Sequence, residues 1–244
     1  MTFSLYFCII KHMTNIYLEK IKELRLGKGK TQEDMAKIIG VSRPTYAAIE
    51  TGRQKLDIEQ AQKLVNEFNI SLDSLMLGDI PDIEKYKHMI LAYLRSGLSK
   101  DGRVPKTKLA KLLYLADFSW YYNNLQSMSG MPYRKITHGP VPDMFFRAIA
   151  ELEESGKIEI EKKKFDEGKD VFLIKESESN INENINSLSK EQKDLIKNIS
   201  KKWASKKTQE IVNFTHNQMP YSICRENEII PYILITQEDP DKVY

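Results

Sequence analysis

Residues 31–52, TQEDMAKIIGVSRPTYAAIETG, constrain the fold more than any other part of the chain. Two short apolar-periodic segments lie either side of Gly40-Val41-Ser42. Thr31 sits at an N-cap position, with Asp34 three residues on where Glu or Gln is usual in a capping box. Met35, Ala36, Ile38 and Ile39 supply an inner face, and Gly40 suits a left-handed C-terminal cap. Ser42 caps a second helix, Pro44 is tolerated in its first turn, and Tyr46, Ala47 and Ile49 recur on its inner side before Thr51-Gly52. Ala36 is small where the second helix crosses, and Val41 and Ile49 are expected to bury between the helices. This spacing predicts a helix-turn-helix whose second helix presents its first turn to base edges in a major groove.

The polar residues at that end are Ser42, Arg43 and Thr45, with Tyr46 adjacent. Arg43 suits the O6/N7 edge of guanine, and Thr45 a thymine methyl. Gln32, Arg53 and Lys55 are expected to flank the groove on phosphates. Residues 20–55 hold nine Lys/Arg against four acids, whereas the whole chain is only +3, so the positive excess gathers where a duplex would lie. Further helices are predicted around the motif. Ile16, Leu18, Ile21, Leu24 and Leu26 line one; Ile58, Ala61, Leu64, Val65 and Phe68 line another; residues 71–75 start a short fifth. The segment 13–78 resembles the xenobiotic-response-element (lambda-repressor-like) family. That resemblance implies a five-helix bundle that reads DNA, usually as a dimer on a palindrome. A bundle of the same shape that serves only as an interaction module is the alternative.

Gly78-Asp79-Ile80-Pro81 interrupts the periodicity, so residues 79–83 are expected to link the first domain to a second spanning 84–244. Residues 83–96 look helical. Residues 107–124 are apolar on two faces, which predicts a helix in the middle of a domain. A helix with Phe145, Ala148, Ile149 and Leu152 follows, ending at Gly156. Lys157–Glu161 and Asp170–Ile174 alternate around a turn-like Asp166-Glu167-Gly168-Lys169, which reads as a β-hairpin. Residues 176–188 read as a polar connection, and 189–200 and 208–216 as the last helices. The predicted fold class is therefore mainly α: a five-helix bundle joined to a mostly helical α+β domain with one small hairpin.

The words KLLYLADF (111–118), MSGMPYRKITHGPVP (128–142), FRAIAELEESG (146–156), TQEIVNFTHNQMPY (208–221) and IIPY (229–232), in this order, resemble the Panacea (SocA-like) antitoxin domain. The resemblance implies neutralisation of a cognate protein toxin by direct binding, in operons of bacteria, phages and mobile elements, with repression of the shared operon by the first domain. It implies no catalysis and no cofactor; a protease adaptor is a variation within it. By periodicity, Trp120 and Phe145 are expected in the core, whereas Tyr121 and Tyr133 fall off the apolar stripes. Tyr121, Tyr133, Lys135, His138 and Arg147 are the candidate toxin contacts. Gly139-Pro140 reads first as a turn before the next helix. Lys100, Arg103, Lys106, Lys108 and Lys111 against Asp101 read as a solvated basic face.

Other chemistries find little support. His12, His88, His138 and His216 form no ligand pair, and Cys8 and Cys224 form no disulfide framework or zinc motif. No phosphate-binding glycine loop or nucleophile elbow occurs. Asp117 on an apolar helix reads as a carboxylate bonded to a neighbouring loop. Residues 2–10, TFSLYFCII, are too few to span a bilayer and are followed, not preceded, by Lys11. Residues 1–12 are expected to be either an apolar extension or the product of a mis-assigned start before Met13. These features predict a cytoplasmic, non-enzymatic antitoxin and autorepressor with no membrane partner. The competing expectations are a regulator whose second domain senses a ligand or only dimerises, and a proteolytic adaptor.

Overall fold

The computed structural model describes residues 17–18, 20–68, 70, 72, 75, 81–164, 170–180 and 184–244. Residues 1–12, Ile16, the break at 78–80, most of the 71–75 turn and the hairpin turn 166–169 lie outside them. The chain divides into two compact units, Met1–Pro81 and Asp82–Tyr244.

In the first unit, α1 covers 17–18 and 20–27. It is followed by α2 (Gln32–Ile39), α3 (Arg43–Glu50) and α4 (Ile58–Phe68). Their inner faces make one core around Ile21, Met35, Ile39, Tyr46, Ile49 and Leu64. The local signals act as predicted. Thr31 and Asp34 form a reciprocal capping box, and Gly40 takes φ +78° while its N–H bonds Ala36 O. Ser42 accepts from Thr45 N at the start of α3. Leu26, expected on the inner face of α1, is instead 57% exposed. Leu18, Ile21 and Arg25 hold that face, at spacings of three and four, and Leu26 sits one position beyond it.

The second unit is built around α6 (Lys106–Asn124), in which every residue from Lys108 to Ser119 is buried. Helices α5 (Ile83–Arg95), α7 (Met144–Glu154), α8 (Lys190–Trp203), α9 (Thr208–Asn217) and the short α10 (Met219–Ile223) complete the described α-helices of this unit, with short 3-10 helices at Glu178–Asn180, Tyr232–Gln237 and Pro240–Lys242. The hairpin is β4 (Ile158–Lys164) against β5 (Asp170–Glu176), antiparallel, with Ile160 opposite Ile174. The sequence reading missed three two-residue strands. β1 (Val104–Pro105) extends this sheet on the other side of β5, and β2 (Tyr133–Arg134) pairs with β3 (Val141–Pro142). Two residues carry too little periodicity to be read from sequence.

Part of the polar connection is structured: Glu176 accepts from the Arg95 guanidinium at 2.6 Å and from Asn180 Nδ2 at 2.7 Å. The basic run divides. Lys108 and Lys111 are buried, which corrects the reading of a uniformly solvated face. They lie on the inward side of a helix that is covered all round, so chain position and not charge decides their place.

Candidate nucleic-acid interface and candidate partner face

The start of α3 places Ser42, Arg43 and Pro44 in solvent. Arg43 has no intramolecular partner among the described residues. Ser42 Oγ lies 2.9 Å from Thr45 Oγ1, so these two hydroxyls hold each other as well as the cap. Arg53 and Lys55 are exposed just beyond α3, with Arg53 Nε donating to Thr51 Oγ1 at 3.0 Å. An arginine beside a helix N-terminus, with two basic side chains past its far end, can offer base-edge and phosphate contacts together.

Tyr46 is a correction. It is fully buried in the bundle and cannot touch a base. Burial first, and then the Glu50 carboxylate, hold its hydroxyl well above the ordinary tyrosine value. Gln32 is half-buried, and its Nε2 donates to Glu50 Oε2 at 3.2 Å. Glu50 also takes the Arg25 guanidinium at 2.8 Å, and Arg25 Nη1 donates to Lys30 O at 3.1 Å. Arg25 is thus spent inside the protein and adds nothing to a surface field. The network instead joins α1, the start of α2 and the end of α3, fixing the direction in which the α3 N-terminus points. Its signal in the sequence was an acid, Glu50, on the inner face of a short helix.

In the second unit Asp117 is fully buried and accepts from Ser129 N at 2.6 Å, Ser129 Oγ at 2.6 Å and Tyr133 Oη at 2.8 Å. This is the loop-binding carboxylate read from the sequence. It also explains why Tyr133 is wrong as a surface contact: its ring is in the core and its hydroxyl is bonded to Asp117. Tyr121 is wrong for a related reason. It is 1% exposed and stacks on Tyr232 at 5.5 Å between ring centroids. Tyr114, Phe118, Tyr133 and Tyr232 form one buried aromatic cluster, with Tyr232 Oη donating to Met131 O. Of the expected core pair, Phe145 is buried and Trp120 half-buried.

The other candidate contacts stay at the surface. His138 and Arg147 are exposed, the latter paired with Glu151 one helical turn away. Lys135 is half-buried, donates to Cys224 O and lies over the Tyr221 ring at 4.6 Å.

The charges that sequence reasoning misplaced define a site. Lys108 Nζ donates to Trp203 O and Lys206 O at 2.7 and 2.6 Å, closing the end of α8. Lys111 is more deeply placed, and among the described residues its ammonium has one hydrogen-bond acceptor, Pro140 O at 3.0 Å. Burial brings its pKa down to about 7. Gly139 sits against it with φ +92°, and a Cβ there would lie 2.7 Å from Lys111 Cε and 2.9 Å from His216 Nε2. The glycine is therefore required both by the turn and by close packing. His216 stacks on Tyr221, and burial, followed by the Lys111 and Lys135 charges, lowers its pKa. Beside Lys111 opens a cavity of about 300 Å³, largely apolar, lined among others by Ala110, Ile136, His138, Phe146 and Phe172.

Residues 21–75 match the model of the family described as Helix-turn-helix, and residues 109–221 match the one described as Antitoxin SocA-like, Panacea domain. An uncharacterized HTH-type transcriptional regulator of Archaeoglobus fulgidus is 35% identical over 60 residues, 25% of this chain and 86% of that protein. The chain belongs to the helix-turn-helix family and carries a SocA-like Panacea domain. The cryptic phage CTXphi transcriptional repressor RstR of Vibrio cholerae is 33% identical over 76 residues, 31% of this chain and 68% of that protein. The SPbeta prophage-derived uncharacterized HTH-type transcriptional regulator YonR of Bacillus subtilis is 28% identical over 101 residues, 39% of this chain and 88% of that protein. The chain spans 55% of the length of another Bacillus subtilis relative, the uncharacterized HTH-type transcriptional regulator YqaE. No solved structure matches the chain. This helix-turn-helix and Panacea pairing supports a regulator or antitoxin role. No helix among the described residues is long and apolar enough to cross a membrane.

Proposed function

We propose that this protein is a cytoplasmic antitoxin of a bacterial or phage type II toxin–antitoxin system and the repressor of its own operon. The observation that carries the reading is the pairing, in one chain, of an unpartnered Arg43 at the start of a capped second helix with a Panacea domain. The helix-turn-helix unit binds operator DNA, as a homodimer on two half-sites about one helical turn apart. Ser42, Arg43 and Thr45 face the bases, and Arg53 and Lys55 the phosphates. The Panacea unit binds the cognate toxin directly. His138, Arg147 and the exposed part of Lys135 remain candidate contacts, and no catalytic residue or cofactor enters this reading. Toxin binding and operator affinity are then reciprocally linked if the two sites are coupled.

The decisive experiment expresses the neighbouring gene with and without this chain. Rescue of growth is the expected result, and no rescue removes the antitoxin role. On DNA, Arg43→Ala is expected to cost about 1–3 kcal/mol at one base pair. Lys55→Ala should weaken all sequences alike and reduce the salt slope by about one. Identical behaviour of the two variants would displace α3 as the reading helix. The 300 Å³ cavity favours a second reading, a regulator whose Panacea unit senses a small ligand.

A further inference from the structure

Phe146 and Phe172 are 55% and 41% exposed, and both line the same cavity. Single exposed apolar side chains are ordinary. Two phenyl rings at one concave mouth, sharing one ammonium, are a different matter. Lys106 Nζ lies 4.9 Å from the Phe146 centroid and 5.9 Å from that of Phe172, so the rim offers two apolar faces with a cation between them. Asp170 at the same rim is already paired with Lys162 at 2.7 Å. What is left over is basic: the Lys106 ammonium at the mouth and the titratable Lys111 amine in the wall. Lys111 is 2% exposed, and among the described residues its three donors meet one acceptor, Pro140 O, so it can take a second. The volume lies at the bottom of the range of ligand pockets, roughly 300–1,000 Å³, and so suits one large side chain.

Resting on the antitoxin reading, we infer that the partner protein docks on this cavity, seating an aromatic or long aliphatic side chain between Phe146 and Phe172 with a carboxylate beside it on Lys106 and Lys111. The apolar walls take the ring or alkyl group, and the two lysines take the acid. Exclusion of water by the partner strengthens that ion pairing.

The test uses the full chain and the product of the neighbouring gene. Thr107→Trp fills the mouth from an exposed helical position, and Lys106→Glu reverses the rim charge. Each is expected to weaken binding about tenfold or more by calorimetry and to impair growth rescue. Glu59→Gln, at an exposed position of α4 in the other unit, should leave both unchanged. Hydrogen exchange on the unaltered complex should show new protection over residues 105–111, 144–147 and 170–174. If the wild-type chain binds and rescues but both variants match it, or protection falls elsewhere, the docking site is refuted and the antitoxin role stands. If the wild-type chain neither binds nor rescues, both readings fall. Self-association that Thr107→Trp abolishes would assign the face to a second copy of the chain and overturn the inference.

Discussion

Each unit buries a cation beside its candidate site, and the two are treated oppositely. In the first, Arg25 donates to Glu50 and to Lys30 O, Gln32 donates to the same carboxylate, and the network joins three helices and the turn before α2. In the second, Lys111 has Pro140 O and no carboxylate within reach among the described residues. A closed network holds elements in place, so Arg25 and Glu50 serve the presentation of α3. An amine with one carbonyl partner among the described residues keeps hydrogen-bonding capacity for the acid of the partner proposed above. Guanidinium chemistry suits the first task, with its planar fork and permanent charge, and a titratable amine suits the second.

The contrast breaks most visibly at Glu50. Glu50→Gln or Arg25→Met strands one buried partner and is expected to cost about 3–5 kcal/mol in urea unfolding followed by helix circular dichroism. The double change Arg25→Met/Glu50→Leu should lose much less. A double-variant loss equal to the sum of the two single losses would mean that the pair does not act as a unit. Tryptophan fluorescence gives a separate readout of the second unit, which holds both tryptophans, Trp120 and Trp203.

Asp117 is the second unit's own closed network. Asp117→Asn, which weakens charge-assisted bonds to Ser129 and Tyr133, is expected to cost about 3 kcal/mol by the fluorescence transition. A loss below about 0.5 kcal/mol would show that the carboxylate is not what anchors the loop. Gly139→Ala should cost about 1–3 kcal/mol, from the positive φ and from the contact with Lys111. An unchanged midpoint would mean that the turn relaxes freely.

The sharpest test for Lys111 is the pH dependence of stability. Its pKa is about 7 in the folded protein, against an ordinary value of 10.5. Between these the unfolded chain holds one proton more, so this residue makes stability rise with pH, by at most about 1.4 kcal/mol per unit. Below 7 both states are protonated and the slope vanishes. Lys111→Met should remove that rise while leaving stability at neutral pH equal or higher. His138, His216 and Lys135 remain nearby in both proteins, so the difference between the two curves isolates Lys111. Parallel curves from pH 7 to 10 would show that the amine is not desolvated.

The sequence was most legible where a residue's task is met within one turn of chain. Thr31, Asp34, Gly40 and Ser42 cap their own helices, and a cap needs no distant partner. The hairpin and the central helix were legible by period. The aromatic residues were not. Tyr46, Tyr121 and Tyr133 carry a polar atom on a large apolar ring, so the same residue serves a surface or a core. Here, packing from distant segments fills the space around them, Tyr232 against Tyr121 and Asp117 against Tyr133.

The chain's amino acids alone settled that the front is a helix-turn-helix, that its second helix begins at Ser42 with Arg43 outward, and that 107–124 runs through the middle of the rear unit. They did so because caps and periodicities are short-range. Only the tertiary structure decided which charges are spent and which remain available. Arg25 and Lys111 look alike as basic residues in helical patterns, and they differ because Glu50 folds back onto one, whereas among the described residues the 139–140 turn brings a carbonyl and no carboxylate to the other. Electrostatic satisfaction depends on partners about 25 to 30 residues away in the sequence, and no local pattern records whether they arrive.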